Sequence, residues 1–335
     1  MTLVVHPHFH KRYTGVTRHV ESVVPALTRD TGSETRVIGA GLSRGLPRIT
    51  WPELLRRART EPVVWHAHRN NELLAGMVVK LLGRQVRLVF TRHSATAPSG
   101  FTRFLCRGAD ALVSLTRHMA EVVAVPSTVI GHGIDLTRFH PPADRDEAWR
   151  RLGQGGRYGV GVVGRIRKEK GQGDFVEAVR PLLPEHPEWH AVLVGLAKGA
   201  DLDWVNGLRA GLEDRVSLAG EQSVIEPWFQ GMTVLVQASY SEGYSLVIVE
   251  AMASGCCVVT SKLPHLDALI EHERTGFFFE PGDVKAMREL LAMLMREPGR
   301  AREVGRNAAE EARCRYGVEH EARALGDLYR ALVGR

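Results

Sequence analysis

Two cationic side chains follow a predicted strand at a spacing suited to binding phosphate. The apolar run Tyr158–Val163 ends in Gly164, and Arg165 and Lys170 follow shortly afterwards. In a parallel sheet such a loop lies at the carboxyl edge, where ligands bind. Glycine permits close approach, and the two cations supply charge-assisted hydrogen bonds. The segment is neither a Walker A loop nor a GxGxxG loop, so a solvated basic turn remains the alternative.

Two glutamates with seven residues between them flank the start of a predicted apolar helix. Glu242 precedes the helix Leu246–Ser254, and Glu250 lies inside it. We expect Ser245 to be the N-cap, so that free N–H groups and the helix dipole face an anion. Burying the carboxylate of Glu250 without a partner is costly, and a ribose or hexose hydroxyl would satisfy it. Pairing of each glutamate with a local arginine is the alternative.

Short apolar, β-branched runs alternate with segments of helix length and must position these side chains. In chain order they are Leu3–Val5, Thr35–Ile38, Val63–His66, Val86–Phe90, Ala111–Leu115, Thr128–Ile130, Tyr158–Val163, His190–Val194, Val216–Leu218, Val234–Gln237, Cys256–Thr260 and Gly276–Phe279. Continuous apolar strands separated by helices are typical of parallel sheets covered on both faces. The pattern predicts an α/β protein with two doubly wound parallel sheets.

A stretch rich in proline and glycine, Pro141–Gly156, predicts the domain boundary. We therefore expect one domain over residues 1–150, a second over 151–309, and a charged helical segment over 310–335. The adjacent Cys256 and Cys257 are interpreted as core residues. The N-terminus has no signal-peptide pattern and the four cysteines form no disulfide framework, which favours the cytoplasm.

The two glutamates and the basic loop together resemble glycosyltransferase family 4. The family carries a G-R-x-x-x-E-K-G loop and an E-x7-E motif, matched here by GRIRKEKG and by SEGYSLVIVE. Residues 129–139 and 274–283 also match its segments, and the resemblance covers nearly the whole chain. It implies the GT-B fold of two Rossmann-like domains, an N-terminal acceptor-binding one and a C-terminal one for the nucleotide sugar. It also implies that the last helix packs back on the N-terminal domain.

The resemblance assigns a role to each residue of the donor site. Arg165 and Lys170 would hold the diphosphate, Glu242 the sugar hydroxyls and Glu250 the ribose. Backbone N–H groups would bind phosphate and sugar at Gly243, Tyr244, Ser245 and Leu246. No metal ion and no cofactor are expected, because cationic side chains and a helix terminus replace the ion. The acidic pair Asp201 and Asp203 is interpreted as the start of a helix rather than a metal site.

The N-terminal half contributes a glycine loop and histidines to the same comparison. Gly15 lies in the segment that resembles the family's glycine loop, where Thr14 replaces a second glycine. An H-x-H segment ends the third predicted strand, and the family places its second histidine, here His68, near the reaction centre. His93 is a further candidate. His132 stands where the family usually has asparagine, a change that we associate with some lipopolysaccharide-core mannosyltransferases.

These observations predict a retaining, metal-independent hexosyltransferase of lipopolysaccharide or cell-surface polysaccharide biosynthesis. The expected donor is GDP-mannose and the expected acceptor a glycan or glycolipid. A UDP-sugar enzyme with a soluble acceptor, and a sugar-nucleotide epimerase on the same fold, are alternatives. The net charge of +6 also suits a nucleic-acid-binding protein, but no reading module is recognisable, so no nucleic-acid partner is expected.

The uneven charge of the chain suggests where such an enzyme works. The first 150 residues carry 21 Lys/Arg against 12 Asp/Glu, and the remainder 23 against 26. The basic residues of interest are Arg56, Arg57 and Arg59 on one predicted helix, and Arg103 and Arg107 beside Phe101, Phe104 and Leu105 on another. Basic residues beside exposed aromatics predict peripheral docking on the anionic inner face of a membrane. The alternative is that the three apolar residues belong to the core.

Overall fold

The computed structural model describes residues 2–10, 14–83 and 85–334 of the 335-residue chain. Two compact units are present. The N-terminal unit comprises residues 1–135 together with 316–335, and the C-terminal unit comprises residues 136–315. Each contains a parallel six-stranded sheet with helices on its faces.

Every predicted strand is present. The N-terminal unit contains β1 (Leu3–His8), β2 (Glu34–Gly39), β3 (Val63–Ala67), β4 (Val86–Arg92), β5 (Ala111–Ser114) and β6 (Thr128–Val129), in the order β2-β1-β3-β4-β5-β6. The C-terminal unit contains β7 (Tyr158–Val163), β8 (Trp189–Val194), β9 (Val216–Gly220), β10 (Met232–Gln237), β11 (Cys257–Ser261) and β12 (Gly276–Phe279), in the order β12-β11-β10-β7-β8-β9. The strand pairs of both sheets are parallel among the described residues, so the loops after β7 and its neighbour β10 leave the sheet at the same edge.

The helices connect the strands and cover both sheet faces. Those of the first part of the chain are α1 (Gly15–Thr31), α2 (Trp51–Arg57), α3 (Asn70–Leu82), α4 (Gly100–Gly108), α5 (Arg117–Val123) and α6 (Arg145–Arg151). Those that follow are α7 (Gln172–Val179), α8 (Ala200–Arg209), α9 (Glu226–Gly231), α10 (Leu246–Ala253), α11 (Val284–Arg296), α12 (Pro298–Arg315) and α13 (Val318–Val333). Residues Lys168–Lys170 form a single 3₁₀ turn. No helix within the described residues is long and apolar enough to cross a membrane.

The division between the units differs from the predicted boundary near residue 150. Residues 136–150, expected in the first domain or its linker, belong to the C-terminal unit. Arg145 explains why, since its guanidinium donates to the backbone carbonyls of Met232 and Ser254. Trp149 is fully buried against Gly159 of β7, where even a Cβ atom would clash with the indole ring.

The predicted helical segment 310–335 is likewise split in two. The end of α12 stays in the C-terminal unit, while α13 belongs to the N-terminal unit and packs against α1. The break lies at Tyr316 and Gly317, because this stretch pairs with Ile134 instead of continuing a helix. Ile134 donates its N–H to the carbonyl of Tyr316, and Val318 donates back to the carbonyl of Ile134.

Candidate active site

The loop after β7 is pressed against neighbouring backbone, which fixes the path of the two cations. Gly171 has a φ of +68°, and a Cβ atom there would lie 2.1 Å from the carbonyl oxygen of Ala238. Only glycine allows this approach at a positive φ. The loop from β7 is therefore held directly beside the loop from β10. The helix after it begins at Gln172, slightly earlier than Asp174, where we expected it.

Gln172 is a buried residue that organises this loop and that the sequence did not reveal. Its Nε2 donates to the carbonyl of Arg165 at 3.1 Å, and its Oε1 accepts from the N–H of Arg167 at 3.3 Å. The backbone around Arg165 is thus fixed, while the side chain of Arg165 is exposed. Such an arrangement can present a guanidinium to an anionic ligand.

Lys170 and Glu242, assigned to diphosphate and sugar respectively, are brought together as an ion pair. Lys170 Nζ lies 2.7 Å from Glu242 Oε1. The hydroxyl of Ser239 donates to the same carboxylate oxygen at 2.7 Å. A third link joins the loops, since Tyr240 donates from its hydroxyl to Asp174 at 2.7 Å. The cation and the carboxylate therefore occupy one small polar area.

The helix that follows Glu242 begins as predicted, but Ser245 does not cap it with its side chain. Ser245 occupies the N-cap position in a left-handed conformation (φ 57°), and its hydroxyl donates to Gln237 Oε1 at 2.7 Å. The first-turn N–H groups of α10 therefore receive no bond from that side chain. That of Ile248 donates to the Ser245 carbonyl at 3.2 Å, and those of Leu246 and Val247 lie ahead of the first bond within the helix. Gly243 and Tyr244 precede them directly. This is an arrangement that can accept an anion.

Gln237 is a second residue that sequence reasoning missed. It is the last residue of β10 and is only 7% exposed, and its Nε2 has no hydrogen-bond partner among the described residues. Glu250, in the second turn of α10, is 1% exposed. The signal for Gln237 would have been a polar residue closing an otherwise apolar strand at the ligand-binding edge.

In the N-terminal unit, the glycine loop forms the start of α1. Thr14 caps this helix through a reciprocal pair of bonds with Thr17, and Gly15 is the first helical residue. Arg69 also donates to the Thr14 hydroxyl at 3.1 Å. The replacement of a glycine by Thr14 thus provides a helix cap, which a second glycine would supply only weakly.

His68 lies at the wall of a cavity of about 370 Å³ in the N-terminal unit. The other polar residues of the wall are Arg69, Asn70, Arg92, His93, Ser94, Thr96, Ser99 and Thr102. His66 does not line the cavity, and its two ring nitrogens bind the hydroxyls of Tyr329 and Thr91. His68 is the better candidate of the two. Its own ring nitrogens bind His6 and His93, and burial holds its pKa well below the usual value, so the ring is neutral.

Two groups of side chains in the described parts of the chain bring possible metal ligands within 4.8 Å of one another. They are His6, His66 and His68, and His19, His132 and Glu321. The nitrogens of His66 are already hydrogen-bonded, and the ring centroids of His19 and His132 lie only 3.8 Å apart. Two imidazoles on one tetrahedral ion would hold their centroids about 5 Å apart. The second group is therefore too crowded for a metal ion, whereas in the first the ring centroids lie 4.7–5.4 Å apart and it is the two hydroxyl partners of His66 that compete with an ion. Asp201 and Asp203 lie in the first turn of α8 outside both groups.

The surface features proposed for membrane contact are present only in part. Phe101 and Phe104 are 58% and 67% exposed, whereas Leu105 is buried in the core. Arg103 and Arg107 are exposed beside the two rings. On α2, however, Arg57 is engaged by Glu34 and Glu61, so it is not a free surface charge.

Known proteins resemble this chain over its full length. The family model described as glycosyl transferases group 1 matches residues 157–297. The lipopolysaccharide core biosynthesis mannosyltransferase LpcC of Rhizobium leguminosarum bv. viciae is 35% identical, with 99% of this chain and 97% of the relative covered. LpsB of Rhizobium meliloti (strain 1021), which bears the same description, is 35% identical, with 98% of this chain and 97% of the relative covered. The structure of Anabaena Alr3699/HepE in complex with UDP and glucose aligns with a TM-score of 0.80 at 20% identity, covering 98% of this chain and 99% of that one. This last likeness confirms the predicted GT-B fold.

Proposed function

The chain belongs to the glycosyl transferases group 1 family, and we propose that it transfers mannose from GDP-mannose to a glycolipid of the lipopolysaccharide-core type with retention of anomeric configuration. One observation carries the donor half of this proposal. Arg165, the pair Lys170 and Glu242, and the start of α10 meet at the carboxyl ends of two adjacent strands. The identity of sugar and acceptor is supported by two relatives named as lipopolysaccharide core mannosyltransferases.

The donor would be held by complementary groups at its two ends. Its diphosphate carries negative charge, which suits Arg165, Lys170 and the N–H groups at the start of α10. The hydroxyls of the sugar suit the carboxylate of Glu242, and those of the ribose suit Glu250. Gln237 adds an amide donor near the first turn of α10.

Transfer breaks the bond between the anomeric carbon and the donor phosphate, and the departing GDP takes both electrons of that bond. The oxygen of the acceptor hydroxyl forms the new bond on the same face of the sugar, and its proton passes to the departing diphosphate. Negative charge grows on the leaving phosphate, so Arg165, Lys170 and the helix start stabilise the transition state more than the ground state. One preorganised donor of this kind is typically worth about 10²–10³ in rate. No metal ion is required for this role.

The acceptor would enter the cavity beside His68. A sugar acceptor presents hydroxyl groups, and the wall offers hydroxyl, amide and guanidinium groups at Ser99, Thr102, Asn70 and Arg92. Asn70 and Thr102 are held to each other by a hydrogen bond of 2.9 Å, which keeps this part of the wall in place. The polar lining supports a glycan head group rather than a purely apolar ligand.

The lipid part of the acceptor would lie on the surface next to this cavity. Exposed apolar residues of α3 and α4 form an apolar patch, which consists of Leu74, Val78, Leu81, Leu82, Phe101 and Phe104. Thr102 belongs both to α4 and to the wall of the cavity. Because Arg103 and Arg107 flank the aromatic rings, we propose that the apolar patch docks on an anionic cytoplasmic membrane surface.

A panel of nucleotides tests the donor assignment. GDP at a fixed concentration should raise the melting temperature more than UDP or ADP, because only a ligand that binds the folded state stabilises it. GDP-mannose should act at least as strongly as GDP. A response to UDP alone would replace the donor with a UDP-sugar. A sugar-nucleotide epimerase would instead convert the donor without releasing any nucleoside diphosphate.

A further inference from the structure

Four histidine rings of the N-terminal unit form one continuous hydrogen-bonded chain that ends on Glu321. His6 Nδ1 lies 3.1 Å from His68 Nε2, and His68 Nδ1 lies 3.1 Å from His93 Nε2. His93 Nδ1 then lies 3.0 Å from His132 Nε2, and His132 Nδ1 lies 3.1 Å from Glu321 Oε1. Each of the three links between rings joins Nδ1 of one ring to Nε2 of the next. We call this set of five residues the histidine chain.

The four imidazoles are neutral at neutral pH, since they are buried. Burial lowers the pKa of His6 and of His132 to about 3, and it lowers the pKa of His68 and His93 well below their usual value. A neutral imidazole has one N–H donor and one bare acceptor nitrogen. In an unbroken chain of such rings, all N–H groups must therefore point the same way. Only two arrangements are possible, and the last residue decides between them.

Glu321 is held so that one carboxylate oxygen faces the histidine chain. Its Oε2 accepts from the N–H of Gly133 at 2.8 Å, which leaves Oε1 for His132. An ionised carboxylate can only accept, so His132 must carry its proton on Nδ1 and accept at Nε2. His93 must then donate from Nδ1 to His132 Nε2, and His68 must donate from Nδ1 to His93 Nε2. All three rings are thereby placed in the Nδ1–H tautomer, which free imidazole side chains in water populate less than the Nε2–H form.

We propose that Glu321 is a positioning residue that acts through His132 and His93 to hold His68 in the Nδ1–H tautomer at the wall of the acceptor cavity. The functional part of this inference rests on the proposed function, because it takes the cavity to be where the acceptor binds. Glu321 lies 189 residues from His132 along the chain, on the helix that returns to the N-terminal unit. This helix thus acts on His68 at the cavity wall through two intervening rings, while Glu321 itself does not line the cavity.

The substitution Glu321→Gln is expected to reverse the histidine chain rather than break it. The N–H of Gly133 requires an acceptor, so the amide oxygen should take the place of Oε2. The amide NH₂ then faces His132 Nδ1, which must become an acceptor. His132, His93 and His68 would each carry the proton on Nε2 instead. The side chain keeps its size, so the packing around it should be retained.

Protonation of Glu321 should have the same effect as this substitution. Burial raises the pKa of this carboxyl group to about 7. The ionisable groups that face it are His19 from α1 at 3.6 Å, His132 from the loop after β6, and Tyr329 on its own helix. Below a pH of about 7 the protonated carboxyl would donate to His132 Nδ1, and the histidine chain would reverse.

Nuclear magnetic resonance of the full chain labelled with ¹⁵N-histidine tests this directly, since two-bond ¹H–¹⁵N couplings distinguish the tautomers. The rings are assigned by single His→Gln substitutions. At pH 8.5 we expect Nδ1–H for His68, His93 and His132 in the wild type and Nε2–H in Glu321→Gln. The matched control is Glu319→Gln on the same helix, which pairs with exposed Arg29 and should change none of the three. Identical tautomers in wild type and Glu321→Gln would overturn the proposal, as would one equivalent of tightly bound zinc or copper in the purified protein.

Kinetics then tests the consequence for transfer. In Glu321→Gln we expect kcat to fall about tenfold or more while the KM for the nucleotide sugar stays unchanged. Glu319→Gln should keep the wild-type kcat. If the tautomers reverse but kcat does not change, His68 is not used in its Nδ1–H form and the positioning role is wrong. If the tautomers reverse and the wild type transfers no sugar at all, the histidine chain stands and the proposed function fails.

Discussion

Lys170 Nζ and Glu242 Oε1 lie 2.7 Å apart, so the cation assigned to the donor phosphate and the carboxylate assigned to the donor sugar are each other's partners. The pair is partly exposed, with about a third of the Lys170 side chain accessible. An exposed ion pair contributes little to stability. Its position at the ends of β7 and β10 therefore points to a role in holding two charges ready for a ligand that carries both phosphate and hydroxyl groups.

Removing either cation of the proposed phosphate site should weaken nucleotide binding. We expect Arg165→Ala and Lys170→Ala each to cost roughly 1.5–3 kcal/mol in GDP affinity, the usual worth of a charge-assisted hydrogen bond. Isothermal titration calorimetry with GDP measures this. Lys168→Ala is the control, because Lys168 is an exposed residue of the same turn. Unchanged GDP affinity in Arg165→Ala and Lys170→Ala would contradict the assignment of these two residues to the phosphate.

The two glutamates should separate by what they bind. Glu250→Gln should weaken GDP itself, because the ribose belongs to the nucleotide. Glu242→Gln should leave GDP affinity unchanged or slightly improved, since Lys170 loses its competing partner, and should lower turnover of GDP-mannose. GDP titration and steady-state kinetics of both variants provide the comparison. The opposite pattern would mean that the roles are exchanged.

That the residues assigned to the donor lie together could be predicted, because parallel sheets impose a rule on their loops. The residues after β7 and β10 meet since those strands are neighbours, and periodicity alone identifies both strands. Gln172 and Gln237 could not be found in this way, because their partners depend on the path of individual side chains. The link between His132 and Glu321 is harder still, since nothing in the local sequence of α13 indicates a partner 189 residues away.

The domain boundary shows a second limit of sequence patterns. Prolines and glycines near residue 141 do mark a change in the chain, but they do not say to which side a short helix belongs. The placement of α6 depends on Arg145 reaching carbonyls of Met232 and Ser254, and on Trp149 fitting over Gly159. The partners of Arg145 lie more than 80 residues away along the chain, so local amino-acid composition does not indicate them.

Membrane docking should depend on charge and on the aromatic rings of α4. The protein should co-sediment with vesicles that contain anionic lipid, and binding should fall with salt because the charges are screened. Each Arg near the surface contributes about 1 kcal/mol, so Arg103→Glu with Arg107→Glu should lower binding about tenfold or more. Charge reversal at Arg150 and Arg151, exposed on α6, is the control. Equal recovery with neutral and anionic vesicles would favour a soluble acceptor.

The buried histidines should make the fold sensitive to acid. His6 and His132 have pKa values of about 3 when folded and near 6.5 when unfolded, so stability is fully present above 6.5 and is lost as pH falls toward 3. Each such ring lowers the free energy of unfolding by about 1.4 kcal/mol for every pH unit below 6.5. Glu321 acts in the opposite sense, because its raised pKa stabilises the protein at low pH and this contribution is lost as pH rises through about 7.

Urea unfolding between pH 7.5 and 5.0 measures the balance of these terms. The free energy of unfolding should decrease as the pH is lowered, since the loss from several buried histidines outweighs the gain from the single carboxyl group of Glu321. The slope of the unfolding free energy against pH gives the number of protons taken up on unfolding. This number should decrease by about one in His6→Gln and stay unchanged in His320→Gln, because His320 is exposed. A flat profile would mean that the rings protonate within the folded protein.

Sugar transfer itself tests the central claim most directly. The protein is incubated with GDP-mannose and a lipopolysaccharide-core acceptor in EDTA, and GDP release, mannosylated product and its anomeric configuration are measured together. We expect GDP and product in equal amounts, no GDP without acceptor, and the α configuration of the donor in the product. Release of GDP that does not depend on acceptor, an inverted anomeric centre, or activity that returns only with magnesium or manganese would contradict this account.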